Sequence, residues 1–538
     1  MAGRRHKASE WLAMIDAGRS RLRQAVNLLY PSGSEQAAAL IERLRCALLL
    51  YLQEYGDAEV VIARAPGRLN LMGRHIDHQG GRCNMVALDR DLLVVAGRRP
   101  GGQIAAANTA GALYPKRAFH AAHLPSPLEA ARWREYLDAT AFRVGAGGIG
   151  SDWSRYVEAP LARLSALGKL PKGAGMNLVV DGQVPSAAGL SSSSAIVVAV
   201  MEAACALYGI PLDAAEFVEL CGEAEWYVGT RGGAGDHAAI KMAMPGQVVQ
   251  LDFHPFRYGG AAPLPDGCGL LICNTRMEAR KTAGARHQFN HRVACYHLGR
   301  EWIYSLQPAL RERVRCLRDL LPDRSGMKPA QLLRLVAALP MEVSRRELRS
   351  RLGSDAVDAW LSTHDEPSDG YPLRGVVLYG LAECERSLRA ADLLRTGRVE
   401  QLGKWMDLSH DGDRVVRWNG VSAQPYRMDM SDAAMARLIA AAEDPASSFD
   451  LADVPGYYGC STPDLDAAVD IARGVDGVLG AQLSGAGLGG CIMVLARRDA
   501  LARVAEDLAA RWYRPRGIEP DLFPCNPSAG SGIITLES

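Results

Sequence analysis

The stretch Met176–Gly209, MNLVVDGQVPSAAGLSSSSAIVVAVMEAACALYG, constrains the fold more than any other part of the chain. A β-branched apolar run leads through a loop of proline, glycine, alanine and serine into a segment that reads as a helix reaching Tyr208. Small residues at such a turn let the backbone come close to a ligand. The first N–H groups of the helix have no partner within it, so the turn suits an anion such as a phosphate. Serine hydroxyls at the same place could complete a magnesium shell, and a serine-capped helix start is the plain structural alternative.

Strand patterns also occur at EVVIARAPGRLNLMG, interrupted at Pro66-Gly67, and at DLLVVAGRR, VVQLDF and GLLICNT. The first 57 residues read as helices separated by the turn signal Pro31-Ser32-Gly33-Ser34, with no function assigned to them. Between about Glu301 and Glu400, leucine and arginine recur with helical period and predict a helical layer. Part of Trp418 to Tyr458, with Pro425, Pro445 and Pro455, reads as a surface insertion. The sequence GAQLSGAGLGGCIMVLA predicts a last pair of strands, followed by the helix DALARVAEDLAARWY. This mixture predicts an α+β fold in two lobes. The expected units are a helical extension over 1–57, an N-terminal lobe over 58–258, and a C-terminal lobe with the helical insertion over 259–538.

The 61 lysines and arginines balance 60 aspartates and glutamates, leaving a formal charge of +1. That balance gives no global field for a polyanion, so nucleic acid and acidic membrane surfaces are not expected partners. The chain start lacks the apolar core of a secretory signal, and the greasiest stretch, Ala195 to Tyr208, is too short to span lipid. A soluble, cytoplasmic protein, monomer or homodimer, is the expectation. The 12 cysteines are scattered without a CxxC pair and read as small core residues.

Three further segments carry candidate chemistry. Ser484-Gly485-Ala486-Gly487-Leu488-Gly489-Gly490 is a second glycine-rich loop, but no clear helix follows it, so a dinucleotide fold is a weak reading. The pattern GxxxxGK[ST] is absent, which removes the usual P-loop route to a nucleotide. Ala65–Gly81, APGRLNLMGRHIDHQGG, packs polar and charged groups beside glycines, a composition that reads hydroxyls of a small polar ligand or forms a solvated loop. Gly229–His237 places Asp236 after a flexible run, as a catalytic carboxylate or as a cap on the next helix.

In their order along the chain, these four segments resemble the GHMP kinases, the family of galacto-, homoserine, mevalonate and phosphomevalonate kinases, and most closely the galactokinase branch. The resemblance runs from about Ile62 to Cys491. It implies a two-lobed kinase fold with the active site between the lobes, and ATP-dependent phosphorylation of a sugar at its anomeric hydroxyl with Mg2+. Pro185, Gly189, Leu190, Ser191, Ser192 and Ser193 would then wrap the ATP phosphates, with Gly485, Gly487 and Gly489 closing the site. Asp236 would be the base toward the sugar hydroxyl and Arg68 its partner, a sensible pairing because a guanidinium favours an ionised carboxylate and steadies developing charge. His75, Asp77, Gly233 and Phe289 would face the sugar.

Several positions depart from the galactokinase pattern. Arg74 stands where a glutamate is expected, and a guanidinium suits a carboxylate or phosphate at roughly 1.5–3 kcal/mol. The run His75–Gly81 is also similar to that of galacturonokinases, and Gly229-x-Arg231-x-Gly233 shares their spacing. The expected substrate is therefore a sugar acid such as galacturonate read by Arg74, with an internal ion pair as the alternative role of that arginine. Neutral galactose, or a catalytically silent sugar and ATP sensor, are the alternative functions. The family's magnesium glutamate aligns at Ala224, which makes the neighbouring Glu225 the candidate ligand beside Ser192 and Ser193. Phe289 replaces a tyrosine, and His237 follows the base where a glutamine is usual.

Overall fold

Alternation along two long strands organises the first half of the molecule. In β2 (Glu59–Met72), Val60 and Ile62 face one apolar cluster while Val61 and Ala63 face another. In β3 (Cys83–Arg99), Leu93 and Val95 divide from Val94 and Ala96 in the same way. Successive strand residues point to opposite faces, so a sheet covered on both sides reads as a continuous apolar run.

The computed structural model describes residues 5–18, 20–30, 35–129, 132–137, 152–229, 232–277, 283–419 and 422–536. β2 and β3 lie in a nine-stranded sheet with β1 (His6–Lys7), β4 (Gln103–Asn108), β5 (Arg117–His120), β6 (Gly175–Gly182), β7 (Gln247–Asp252), β8 (Arg257–Pro263) and a late strand near residue 532. The main path is β1-β2-β3-β6-β4-β5, with β7 joining β3 to β8. All pairs are antiparallel except β4 with β6. One face is covered by α1 (Ala8–Asp16), α2 (Ser20–Asn27) and α3 (Gln36–Tyr55), through Trp11, Leu40, Leu44 and Tyr51 among others. The other carries α4 (Ser154–Ala166), α5 (Ser192–Tyr208) and α6 (Ala214–Glu225). The N-terminal helices thus complete the core of the first sheet.

The second sheet has four antiparallel strands in the order β12-β13-β9-β14, built from β9 (Cys268–Asn274), β12 (Val478–Leu483), β13 (Cys491–Arg497) and β14 (Leu522–Cys525). β10 (Val416–Trp418) and β11 (Ala423–Pro425) form a separate hairpin. After β14, β15 (Gly532–Ile533) returns to pair with β2. The architecture is α+β in two halves. A shared apolar cluster joins Leu69, Leu88 and Leu190 of the first to Ile272, Met493 and Leu495 of the second.

Three local readings change. The first expected helix breaks at Gly18, whose φ of +60° ends α1 before α2 begins. β2 runs on through Pro66, with only a register shift between Pro66 and Arg68. The stretch read in part as a surface insertion holds α12 (Asp432–Glu443), which packs Met435 into the core against α9 (Pro329–Ala337). Before α9 lies α8 (Ala283–Leu306), after it α10 (Leu373–Arg395) and α11 (Val399–Asp413), and beyond α12 come α13 (Pro463–Arg473) and α14 (Leu501–Leu508). Among the described residues, no helix is long and apolar enough to cross a membrane.

Candidate active site

Three chain segments meet at one carboxylate. Asp236 sits in the first turn of α7 (Gly235–Met242), and Arg68 reaches it from β2 in a bidentate pair, Nε to Oδ1 at 2.6 Å and Nη2 to Oδ2 at 2.7 Å. Ser191, at the head of α5, donates its hydroxyl to the same Oδ2. The third guanidinium nitrogen of Arg68 donates to Gly189 O at 2.8 Å, tying the carboxylate to the serine loop. Asp236 keeps 35% of its side-chain surface while Arg68 keeps 7%, so the acid faces outward from a buried cation.

The two glycine-rich loops, far apart in sequence, abut. A Cβ on Gly189 would lie 2.6 Å from Ser484 O, and one on Gly485 would lie 2.7 Å from Gly189 O. Gly490 is equally close to Ala188, and Cys491 N donates to Ala188 O at 3.0 Å. Side chains cannot enter such a contact, which is the physical reason for glycine here. Gly189 and Gly485 also adopt φ of +72° and +73°. Ser191 itself has φ of +61° and does not cap α5; its side chain goes to Asp236 instead. The serine-cap reading therefore fails, and the helix start is left without a side-chain cap. Leu190 turns its side chain into the core, so only its backbone borders the loop.

The donor set near this helix start suits a hard cation, being hydroxyl and carboxylate oxygens. Glu225, the last residue of α6, accepts from Ser194 Oγ at 2.8 Å and lies 2.9 Å from His237 Nε2. Ala224 is fully buried in the apolar core, so the carboxylate on this side is Glu225. Ser192 and Ser193 occupy the first turn of the same helix.

Beyond β2 the chain turns sharply at Gly73 and at His75, whose φ is +63°. Gly73 N and Arg74 N both donate to Glu383 Oε1 of α10, at 2.8 and 3.1 Å. Arg74 is 1% exposed; its Nη2 lies 2.9 Å from Asp413 Oδ2 and donates to Ser409 Oγ at 2.9 Å. The expectation that Arg74 meets a substrate acid is corrected here: its guanidinium is engaged by a carboxylate of α11. Burial pushes the Asp413 carboxyl up, but Arg74 and His75 outweigh it and hold it well below the usual range. His75 stacks on Tyr458 with ring centroids 4.3 Å apart, and its Nε2 lies 3.4 Å from Cys460 Sγ.

Asp77 points back toward α7, accepting from Gly235 N at 3.4 Å, and leaves no room for a side chain at Gly233. Burial raises its carboxyl, yet hydrogen bonding and the charge of His78 bring it down to about 2. Asp77 and Gly233 therefore stand beside the Asp236 turn. Phe289 lies half-buried on α8. Pro185 is also half-buried, at the start of the serine loop; Gly487 packs on Cys460, and Gly489 has φ of +125°. Arg231 lies outside the described residues.

Sequence reasoning missed Glu383, Ser409 and Asp413, which hold the Gly73–His75 turn. A signal existed for Glu383, an acid within the apolar helical run VVLYGLAECERSL, where an unpaired charge would be costly. It is fully buried and paired with Arg386 at 2.8 Å.

Residues 155–243 match the GHMP kinases N terminal domain, 50–98 the galactokinase galactose-binding signature, and 433–514 the GHMP kinases C terminal domain. The chain is 24% identical over 485 residues to a galactokinase of Roseiflexus sp. (strain RS-1), covering 90% of this chain and 95% of that protein. It is 24% identical over 501 residues to a galactokinase of Dictyostelium discoideum, covering 85% of each. Its fold is similar to that of Lactococcus lactis galactokinase complexed with galactose, with a TM-score of 0.62 and 19% identity over 90% of this chain and 97% of the other.

Proposed function

Because the chain belongs to the galactokinase branch of the GHMP kinases, we propose that it transfers the γ-phosphate of ATP to the anomeric hydroxyl of a galactose-type sugar. It is an ATP-dependent sugar kinase. The observation that carries the reading is the Arg68–Asp236–Ser191 cluster, set against two glycine loops whose backbones touch.

In this reading Asp236 accepts the hydrogen bond, and then the proton, of the attacking sugar hydroxyl. Arg68 fixes both carboxylate oxygens and contributes positive charge next to the transferring group, where such charge is most effective. The uncapped start of α5 and the bare backbone of Gly189 and Gly485 would hold the nucleotide phosphates. Ser192, Ser193 and Glu225 would hold Mg2+, which neutralises phosphate charge when bound. His75, Asp77 and Gly233 would orient the sugar.

The acceptor within this class is proposed to be a sugar acid such as galacturonate. Support comes from the run His75–Gly81 and from the absence of a glutamate at position 74, since a carboxylate there would repel an acidic substrate. A free Arg74 no longer supports it. Neutral galactose is the alternative. Rates of ADP formation with Mg2+, ATP and a panel of neutral sugars and sugar acids test both levels. No turnover of any sugar removes the kinase reading, and a clear preference for galactose removes the acid.

A further inference from the structure

Among the described residues, seven arginines are buried to 9% exposure or less: Arg64, Arg68, Arg74, Arg292, Arg374, Arg386 and Arg414. Six have a carboxylate within 3 Å, namely Asp91, Asp236, Asp413, Asp432, Glu383 and Asp470 in that order. Arg292, on α8, is the exception: among the described residues no carboxylate lies within ion-pair distance of it. Its hydrogen bond among the described residues is a long one, Nη2 to Gly459 O at 3.4 Å; the Tyr457 ring centroid lies 6.0 Å from its Cζ, and its buried Nε has no hydrogen-bond partner among the described residues. A buried charge without a counter-charge is costly, and native proteins place an anion against it.

Arg292 lines a cavity of about 390 Å³ together with His291, Gln288 and Ser368. Its mouth carries Asp365, Glu366 and Asp369; Asp365 N donates to His287 Nδ1 at 3.0 Å with Asp365 Oδ2 2.8 Å from the same nitrogen, while Glu366 and Asp369 accept from Arg345 N and Ser368 Oγ. A guanidinium at the wall with carboxylates at the rim suits a ligand that is an acid at one end and a hydroxyl donor elsewhere. The cavity backs onto the site already described. The Gly459 carbonyl that Arg292 touches precedes Cys460, which contacts His75 and accepts from Leu488 N of the second glycine loop at 2.8 Å.

We propose that Arg292 anchors an anion site in this cavity, taking the carboxylate of a polyhydroxylated acid. The choice of a sugar acid as ligand rests on the kinase reading above; the unpaired guanidinium does not. Calorimetric titration of the full chain with galacturonate, galactose and inorganic phosphate tests it, in the wild type and in Arg292→Met and Arg292→Lys. The acid-over-neutral preference is expected to fall at least tenfold in Arg292→Met and to return in part in Arg292→Lys. If galacturonate is phosphorylated and its KM rises in Arg292→Met, the anion is the substrate's own acid group. If it binds without competing with the phosphorylated sugar, the site is an effector site of the same chemistry. Arg292-dependent galacturonate binding in a protein that phosphorylates no sugar keeps the site and removes the kinase reading. Equal galacturonate affinity in the wild type and a folded Arg292→Met overturns the proposal; should that variant not fold, equal affinity in Arg292→Lys and failure of phosphate to compete with galacturonate do so.

Discussion

Arg74 Nη2 lies 2.9 Å from Asp413 Oδ2, with the two side chains 1% and 0% exposed. The pair joins the turn after β2 to the last residue of α11, and Asp413 also contacts His75 and Cys460. An arginine at position 74 therefore acts as half of a strut between the two halves of the molecule. Breaking a buried pair leaves an uncompensated charge at about 3–5 kcal/mol, whereas removing both charges costs far less. Arg74→Met and Asp413→Asn are each expected to lose about 3 kcal/mol in urea unfolding, and the double variant less than their sum. Additive losses would show that the two side chains do not act together.

Ser191 combines a left-handed backbone with a hydroxyl aimed at Asp236. Glycine keeps the left-handed backbone and removes the CH2OH side chain, so Ser191→Gly is expected to fold about as stably as wild type while kcat falls about tenfold, near 1.4 kcal/mol. Ser191→Ala should lose stability as well. Asp236→Asn should lower kcat by about 10²- to 10⁴-fold with sugar binding largely kept. Steady-state rates alongside thermal melts separate these effects.

Much of this arrangement was legible because it rests on backbone chemistry. Gly189, Gly485 and Gly490 are dictated by the contact between two loops, and a sequence displays such positions as runs of small residues. Asp236 and Arg68 were legible through their motifs. The partner of Arg74 was not, since Asp413 lies 339 residues downstream at a helix end and nothing local marks it. The role of the first 57 residues was hidden for a related reason. α3 is amphipathic like any surface helix, and only the doubly apolar runs of β2 and β3 imply that something must cover their second face.

Gly189→Ala should place a methyl group 2.6 Å from Ser484 O at a φ of +72°. Overpacking of this kind costs about 1–3 kcal/mol, and here the strain is relieved by parting the two loops. The KM for ATP is expected to rise more than the KM for sugar. An unchanged ATP KM would mean that the loops do not hold the nucleotide together.

Two carboxylates near the turn after β2 are depressed in the folded state, Asp77 to about 2 and Asp413 to well below the usual carboxylate range by Arg74 and His75. A depressed carboxylate contributes stability above its unfolded pKa, about 3.9, and loses it as pH falls through the folded value. Unfolding midpoints in urea should therefore drop between about pH 4 and pH 2, and Asp77→Asn should flatten that dependence. An identical slope in the variant would assign the acid sensitivity elsewhere.

Removal of residues 1–57 would bare the face formed by Val60, Ile62, Leu93, Val95 and Val179, all of which are at most 1% exposed under α1 and α3. It would also take away Arg43, which holds Asp91 and Asp181 at 2.7 and 2.6 Å, and Tyr30, which donates to Asp91. Arg64 would keep Asp91, but the opened sheet would present an apolar patch of the kind that drives aggregation. The shortened chain is expected to be insoluble or to bind a hydrophobic dye strongly, although Asp236 and both glycine loops are intact. A soluble, active fragment would show instead that these helices sit on a sheet already stable without them.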